Sequence, residues 1–437
     1  MKAAIATEQI EAPAARNGKP TKAGFYERMF YRAVSDNAIG SLTVRLCDGS
    51  AVQLGAGTGG VAALMQVNDA RAFKAAVLRG DIGFGEAFVC GWWDSEHPDL
   101  VLQWFMDNAE STPTFAKRLG RSIFTAPLSF LDRIAYLLRP NSKRTSLRNI
   151  SEHYDLSNEF FSCMLDDSMA YSAGIYRQPG DSLHTAQMHK FETIARKLDL
   201  RPEHHLLEIG CGWGGFAIYA ASRYGCRVTG VTISREQLEY ARRQVARAGL
   251  EDRVEIRFQD YRDIGGNYDR IVSIEMVEAL GEQYLDTFFR RCSELLGPEG
   301  LIVIQCITFP DAFYGRYKKD MDFTRKHIFP GSLLLSIRET LNSLGRTGQL
   351  SLYHLESIGQ HYARTLSDWR RNFNSNLSRV KELGFDDAFI RKWNYYLQFC
   401  EVGFRSNYIN DVQMLLSRPH NEGLKNYPYP EPRQRLS

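Results

Sequence analysis

No stretch of this sequence stays apolar long enough to cross a bilayer: runs such as the one reaching Ile304 before Gln305 fall far short of the roughly 18 residues required. The N-terminal MKAAIATEQIEAPAARNGKP offers one Lys and a short apolar stretch broken by Glu8 and Glu11. It therefore lacks the apolar core of a signal peptide, and the expectation is a cytosolic protein. The eight cysteines (Cys47, Cys90, Cys163, Cys211, Cys226, Cys292, Cys306 and Cys400) are scattered with no C-x-x-C pair. The ten histidines form no H-E-x-x-H pattern. These absences exclude a disulfide framework, a zinc ribbon and hydrolytic zinc chemistry from the expectation. Charge is nearly balanced, 54 Lys and Arg against 51 Asp and Glu, so nothing commits the chain to nucleic acid by charge alone. What is present is ordinary globular composition, 44% hydrophobic and 24% charged, over 437 residues, enough for two or three domains.

The chain divides by composition into five parts. Residues 1–22, rich in Ala, Pro, Asn and Gly, read as a disordered leader, and 23–110 as a small α+β domain. In that domain SLTVRL and AVQLG predict a short strand pair, and DARAFKAAVLRG a helix. Between them GAGTGG, without the Lys-Ser/Thr ending of a phosphate loop, predicts a hairpin turn or loop. Residues 111–150 carry Lys117, Arg118, Arg121, Arg133, Arg139, Lys143, Arg144 and Arg148 against the single acid Asp132, interleaved with apolar residues. This +7 amphipathic linker suits an anionic membrane surface, where each nearby cation contributes about 1 kcal/mol; a solvated interdomain helix is the plainer alternative. Residues 151–420 form the main domain and 421–437 a tail.

From about 200 the pattern alternates. HHLLEIG, CRVTGVT, RVEIRF, YDRIVSIE and LIVIQCIT predict strands. GGFAIYAASRYG, SREQLEYARRQVARAG (with Ser234 as N-cap) and EQYLDTFFRRCSELLG (closed by Gly297 and Pro298) predict helices. Such alternation with apolar strands means an α/β fold, a parallel sheet with helices on both faces, whose ligands bind at the strands' carboxyl ends. The first strand runs into LLEIGCGWGG, with Glu208, Gly210, Gly212, Gly214 and Gly215. Gly210, Gly212 and Gly215 also satisfy the dinucleotide pattern G-x-G-x-x-G. The second strand, however, ends in Val231 and Thr232 with no acid for an adenosine ribose. An acid two residues before the first glycine suits S-adenosylmethionine (SAM), whose sulfonium and amino group favour a carboxylate, and the loop alone leaves the dinucleotide as second choice.

NISEHYDLSNEFFSCMLDDSMAYSAGIY (149–176), LLEIGCGWGG, VTISREQ, QDYRD, EMVEALG, HIFPG (327–331) and SIGQHYARTLSDW together resemble the cyclopropane-fatty-acyl-phospholipid synthase family over about 140–420. RGDIGFGEAFVCGWWDSEHPDL resembles the N-terminal domain of its two-domain members. The resemblance implies a class I SAM-dependent methyltransferase (Rossmann-like) domain with helical insertions, acting on unsaturated acyl chains. It also implies SAM contacts at Tyr171, Ser172, Glu208, Gly210, Gly212, Thr232, Ser234, Gln237, Asp260 and Tyr261, and suggests homodimers.

In that chemistry the SAM methyl adds to an alkene, and the resulting carbocation loses a proton either to close a ring or to leave a methylated alkene. Family members commonly hold bicarbonate as the base through a Cys amide, a Glu, a His, an Ile amide and a Tyr. The matching positions here are Ala173, Glu278, Gln305, Ile307 and Tyr362. Ala173 can still serve through its backbone N–H. Gln305 keeps a donor and an acceptor but cannot take a proton near neutrality as His can. Glu278 is expected to orient the anion or a water, and Tyr362 to bond the anion and turn its ring to the cation. Glu275, one helical turn before Glu278, is expected to be a solvated carboxylate at a helix start.

The expected activity is therefore methyl or methylene transfer to phospholipid acyl double bonds by a cytoplasmic enzyme docked peripherally on an anionic membrane, with no nucleic-acid partner and no metal. The alternatives are a non-cyclised methylated product, methylation of a small amine, and a catalytically silent lipid-binding protein.

Overall fold

The computed structural model describes residues 24–35, 39–55, 57–108 and 156–427. The expected leader, the basic segment 111–150 and the last ten residues lie outside these. Two compact units, 1–127 and 128–437, divide the chain within the segment read as a linker.

In the first unit, β1 (Ile39–Arg45) pairs antiparallel with β2 (Ala51–Leu54), as the strand pair predicts. The glycine-rich stretch does more than turn: β3 begins inside it (Thr58–Val67) and lies parallel to β1 on the side away from β2. The chain crosses over the start of β1 to get there. A Cβ at Gly55 would sit 2.5 Å from the Gly40 carbonyl oxygen, so close backbone approach requires glycine. A two-residue β4 (Trp93–Asp94) completes the sheet. Helices Phe25–Val34, Arg71–Val89 and Pro98–Asp107 supply the buried Phe30, Phe73 and Trp104.

The second unit is built on seven strands in the order β10-β11-β9-β8-β5-β6-β7. The five parallel ones are β5 (His205–Ile209), β6 (Arg227–Thr232), β7 (Val254–Phe258), β8 (Tyr268–Ile274) and β9 (Leu296–Thr308). β11 (Asn410–Ser417) inserts antiparallel between β9 and β10 (Ser351–Ser357). Successive residues point to opposite faces, so Leu207, Ile271, Ile302 and Met414 enter one apolar core while Leu206, Val272, Val303 and Leu415 enter the other. This is the doubly wound α/β sheet that the alternation predicts. Gly297 and Pro298 do not stop the preceding helix, which ends at Leu295; they fall at the start of β9, where the pairing with β8 shifts register.

Sequence order reverses between β5 and β8, which makes their carboxyl ends the switch point. Two helical segments are inserted before and after β10. Helices Asp311–Tyr317, Phe323–His327 and Ile337–Thr347 lie between β9 and β10 in sequence, and Gly359–Ser375, Leu377–Glu382 and Asp387–Arg405 between β10 and β11. The domain also runs past its expected end at 420. Tyr427 is buried and its hydroxyl donates to the Lys197 carbonyl (2.8 Å), so residues 421–427 pack on the domain instead of forming a tail. Among the described residues no helix is long and apolar enough to cross a membrane, and no cluster of His, Cys, Asp or Glu could hold a metal.

Candidate active site

The glycine loop follows β5 with Gly210, Gly212 and Gly214 all at positive φ (83°, 53° and 88°). A Cβ on Gly210 would meet Met276 Cγ at 2.6 Å, so the loop after β5 packs directly on the chain leaving β8. Glu208, near the end of β5, is buried, and its Oε2 has no partner. Burial pushes this carboxyl up to about 8, against the pull of Lys190. A buried carboxyl with an unpaired oxygen beside a glycine loop suits the cationic end of SAM. At the end of β6, Thr232, Ser234 and Gln237 form one cluster. Ser234 caps its helix by accepting from the Gln237 N–H (3.3 Å), and Thr232 donates to Gln237 Oε1 (2.9 Å). Beyond β7, the Asp260 carboxylate accepts from Arg262, and the Tyr261 ring packs in the core.

Tyr171, Ser172 and Ala173 link the two halves of the site. Ser172 Oγ accepts from Lys190 Nζ at 2.6 Å. Lys190 is fully buried, and burial lowers its ammonium to about 8 even though Glu275, Asp166, Asp411 and Glu208 hold it up. Tyr171 exchanges a hydrogen bond with the Tyr396 hydroxyl (2.9 Å), and its ring packs near Phe161, Phe329 and Trp369. The aromatic-rich segments 156–165, 309–335 and 393–404 thus meet around Tyr171 in one aromatic cluster.

Past β8 the carboxylates behave differently from the expectation. Glu275 is not solvated at a helix start. It takes a left-handed φ of 47°, a strained conformation for a non-glycine residue, and its carboxylate points inward. Oε1 accepts from the Ala173 N–H (2.8 Å) and Gln305 Nε2 (2.7 Å), and Oε2 from the Tyr362 hydroxyl (2.7 Å). Burial nonetheless holds this carboxyl above the usual range. Glu278, on the 3-10 turn Val277–Ala279, is buried, accepts from the Ile307 N–H through Oε1 (2.6 Å) and leaves Oε2 without a partner. Burial and then the Glu275 charge push it up to about 8. Gln305 also donates to Asp411 (3.1 Å) and accepts from Gln413 (2.9 Å), and burial beside Glu275 and Glu278 raises Asp411 well above an ordinary Asp.

The structure therefore brings Ala173, Gln305 and Tyr362 together around Glu275, and sets Ile307 against Glu278. All four donor positions expected for bicarbonate are committed to the chain's own carboxylates, so these residues do not fit that ion. Sequence reasoning passed over Lys190 and Asp411 and gave Glu275 no part in the site. A signal existed for Lys190, since it lies on the stripe Leu183, Ala186, Gln187, Phe191, Ile194 that its helix buries.

A model of the mycolic acid cyclopropane synthetase family matches residues 141–414. The chain is 36% identical over 350 residues to tuberculostearic acid methyltransferase UfaA1 of Mycobacterium tuberculosis, covering 78% of this chain and 79% of that one. It is 34% identical over 375 residues to the cyclopropane-fatty-acyl-phospholipid synthase of Escherichia coli strain K12, covering 84% and 91%. Among solved structures, mycolic acid cyclopropane synthase CmaA1 complexed with SAH and CTAB is similar with a TM-score of 0.58 at 29% identity, over 62% of this chain and 98% of that one.

Proposed function

The chain belongs to the mycolic acid cyclopropane synthetase family and is a SAM-dependent methyltransferase of class I fold, and on that premise we propose that it transfers a methyl or methylene unit to the double bond of unsaturated fatty acyl chains of membrane phospholipids. The observation that carries this reading is the set of oriented carboxyl groups at the switch point beneath an aromatic cluster. An alkene needs no activation by the protein beyond alignment and exclusion of water, and what it does need is a group to take the proton lost afterwards. SAM supplies an electrophilic methyl group. Glu208, the loop from Gly210 to Gly214, Gln237 and Ser172 would hold it. Tyr171, Trp369 and Tyr396 present ring faces and edges that exclude water and attract a developing cation. Bicarbonate has no part in this reading, because its donors are in use.

The phospholipid is favoured by the +7 segment at 111–150, which would dock the enzyme on an anionic leaflet. Homodimers belong to the same reading. The test is incubation with SAM and vesicles of cis-unsaturated phospholipid; no lipid product heavier by one methylene or methyl-derived unit would reject it. A second outcome, a methylated but uncyclised chain, is favoured by Gln305 and by the name of the mycobacterial relative, and NMR of the extracted lipid distinguishes ring from alkene.

A further inference from the structure

Whatever the product, one proton must leave the substrate, and the reaction needs a base whose lone pair points at the cation. Apart from Asp411, which accepts from Gln305, the site has two carboxylates where the expected pattern has one, and they are held differently. Glu275 is gripped by three donors from three separate parts of the chain: the Ala173 N–H, the Gln305 amide and the Tyr362 hydroxyl, all at 2.7–2.8 Å. Three oriented donors define an anion site, and here a side chain fills it. The residue that reaches in pays for this with a left-handed backbone at the carboxyl end of β8 (φ 47°), a strain that persists only where the surroundings over-determine it. Beside it, Glu278 is anchored only at Ile307, and its buried Oε2 is unpartnered, the mark of a group aimed into a working site.

We propose that Glu275 is a catalytic residue, the built-in proton acceptor of the transfer, standing permanently where a dissociable anion would otherwise bind. This rests on the reading of the reaction as methyl addition to an alkene. The alkene π pair forms the new C–C bond to the methyl, and the S–C pair stays on sulfur, which becomes a neutral thioether. The carbocation left on the neighbouring carbon releases one proton, from the new methyl as the ring closes or from an adjacent carbon as an alkene re-forms. The C–H pair stays with carbon, and the proton goes to a Glu275 oxygen, which ends neutral and later returns it to solvent. No oxidant, reductant or third reactant is needed. Because the acceptor is tethered, its position relative to the cation is fixed by the fold, which restricts the choice of proton.

The test has two arms on the full-length protein. In the first, 13C-bicarbonate is titrated against the SAH-loaded protein and its NMR line followed. No saturable broadening is expected for the wild type, and saturable broadening for Glu275→Gly, a variant that empties the site and relieves the positive φ. Saturable broadening in the wild type, or none in the glycine variant, overturns the proposal. In the second, turnover on unsaturated vesicles is measured in CO2-free buffer and for Glu275→Gln. The wild type is expected to keep its full rate, and Glu275→Gln to lose about 100-fold or more with SAM affinity within about threefold of wild type. A wild-type rate that collapses without bicarbonate overturns the proposal. So does a glutamine variant that turns over normally, or one that loses SAM affinity in step with rate. A wild type silent on every lipid would reject the phospholipid reading instead, and the bicarbonate arm would still show whether Glu275 fills the anion site.

Discussion

The Tyr362 hydroxyl, on the first helix of the insertion between β10 and β11, donates at 2.7 Å to Glu275 Oε2 at the end of β8. Tyr362 is itself wedged between Phe404, stacked at 4.4 Å, and Trp369, edge-on at 5.9 Å, so the insertion fixes the direction of that bond. A hydrogen bond to a charged acceptor contributes about 1.5–3 kcal/mol, and removing it disfavours the ionised form of Glu275. Tyr362→Phe is expected to lower turnover about 10- to 100-fold by loosening the carboxylate. A base must be deprotonated to act, so activity is lost as pH falls through its pKa. With the donor gone that pKa rises, and the acid limb of the pH–rate profile should move to higher pH. Asp411, Glu278 and Lys190 also face Glu275 and are unchanged in the variant, so an unmoved limb would assign Tyr362 to packing alone.

Glu278 calls for a different variant. Its carboxyl, pushed up to about 8, exchanges protons near neutrality, and it lies close enough to Glu275 for the two charges to oppose each other. The role tested here is onward transfer of the proton that Glu275 accepts. Glu278→Gln preserves the acceptor for the Ile307 N–H and removes proton exchange. Turnover should fall about 10- to 100-fold while SAM affinity, measured by calorimetry, stays within a few-fold. Equal losses in both would reject a chemical role.

The doubly wound sheet was legible because continuous apolar strands alternating with capped helices are local signals. Ser234, read as an N-cap, accepts from the Gln237 N–H as such a residue should. The cofactor loop was legible for the same reason, since glycines at positive φ leave a spacing. Glu275 was not. Its three donors come from positions 102, 30 and 87 residues away, and no local pattern reports a contact that only the assembled sheet and insertion create. Its left-handed backbone is likewise imposed by the switch point and not by a glutamate's own preference. Asp411 was hidden in the strand NDVQMLLS, whose one acid becomes intelligible only beside Gln305. The crossing of β3 over β1 was concealed because a glycine run reads as a turn whichever side the next strand takes.

Lipid docking is tested by charge reversal in the basic segment. Replacing Lys117, Arg118, Arg121, Lys143 and Arg144 with Glu should abolish cosedimentation with anionic vesicles and leave the melting temperature nearly unchanged. At about 1 kcal/mol per cation near the surface, five losses exceed what a peripheral enzyme can spare. Wild-type binding should itself weaken as salt shortens the screening length. Unchanged cosedimentation would return the segment to a solvated linker.

The sharpest pH signature belongs to Glu208. Its carboxyl is raised from the usual 4.5 to about 8 by burial, so without cofactor it is protonated at neutral pH. The cationic end of SAM reverses that preference, and binding near pH 7 should release a proton. SAM affinity should then rise with pH toward about 8, by at most about tenfold per pH unit, and level off above. Calorimetry in buffers of different ionisation enthalpy counts the proton directly. Stability of the unliganded protein runs the other way. A raised acid pKa stabilises the fold fully below about 4.5, and this contribution is lost as pH climbs through about 8. Glu208→Gln should remove the proton release, flatten the affinity profile and narrow the difference in melting temperature between pH 5 and pH 8. If proton release persisted in the variant, the linked group would be another, and Lys190, whose ammonium also lies near 8 behind Ser172, would be the one to replace next.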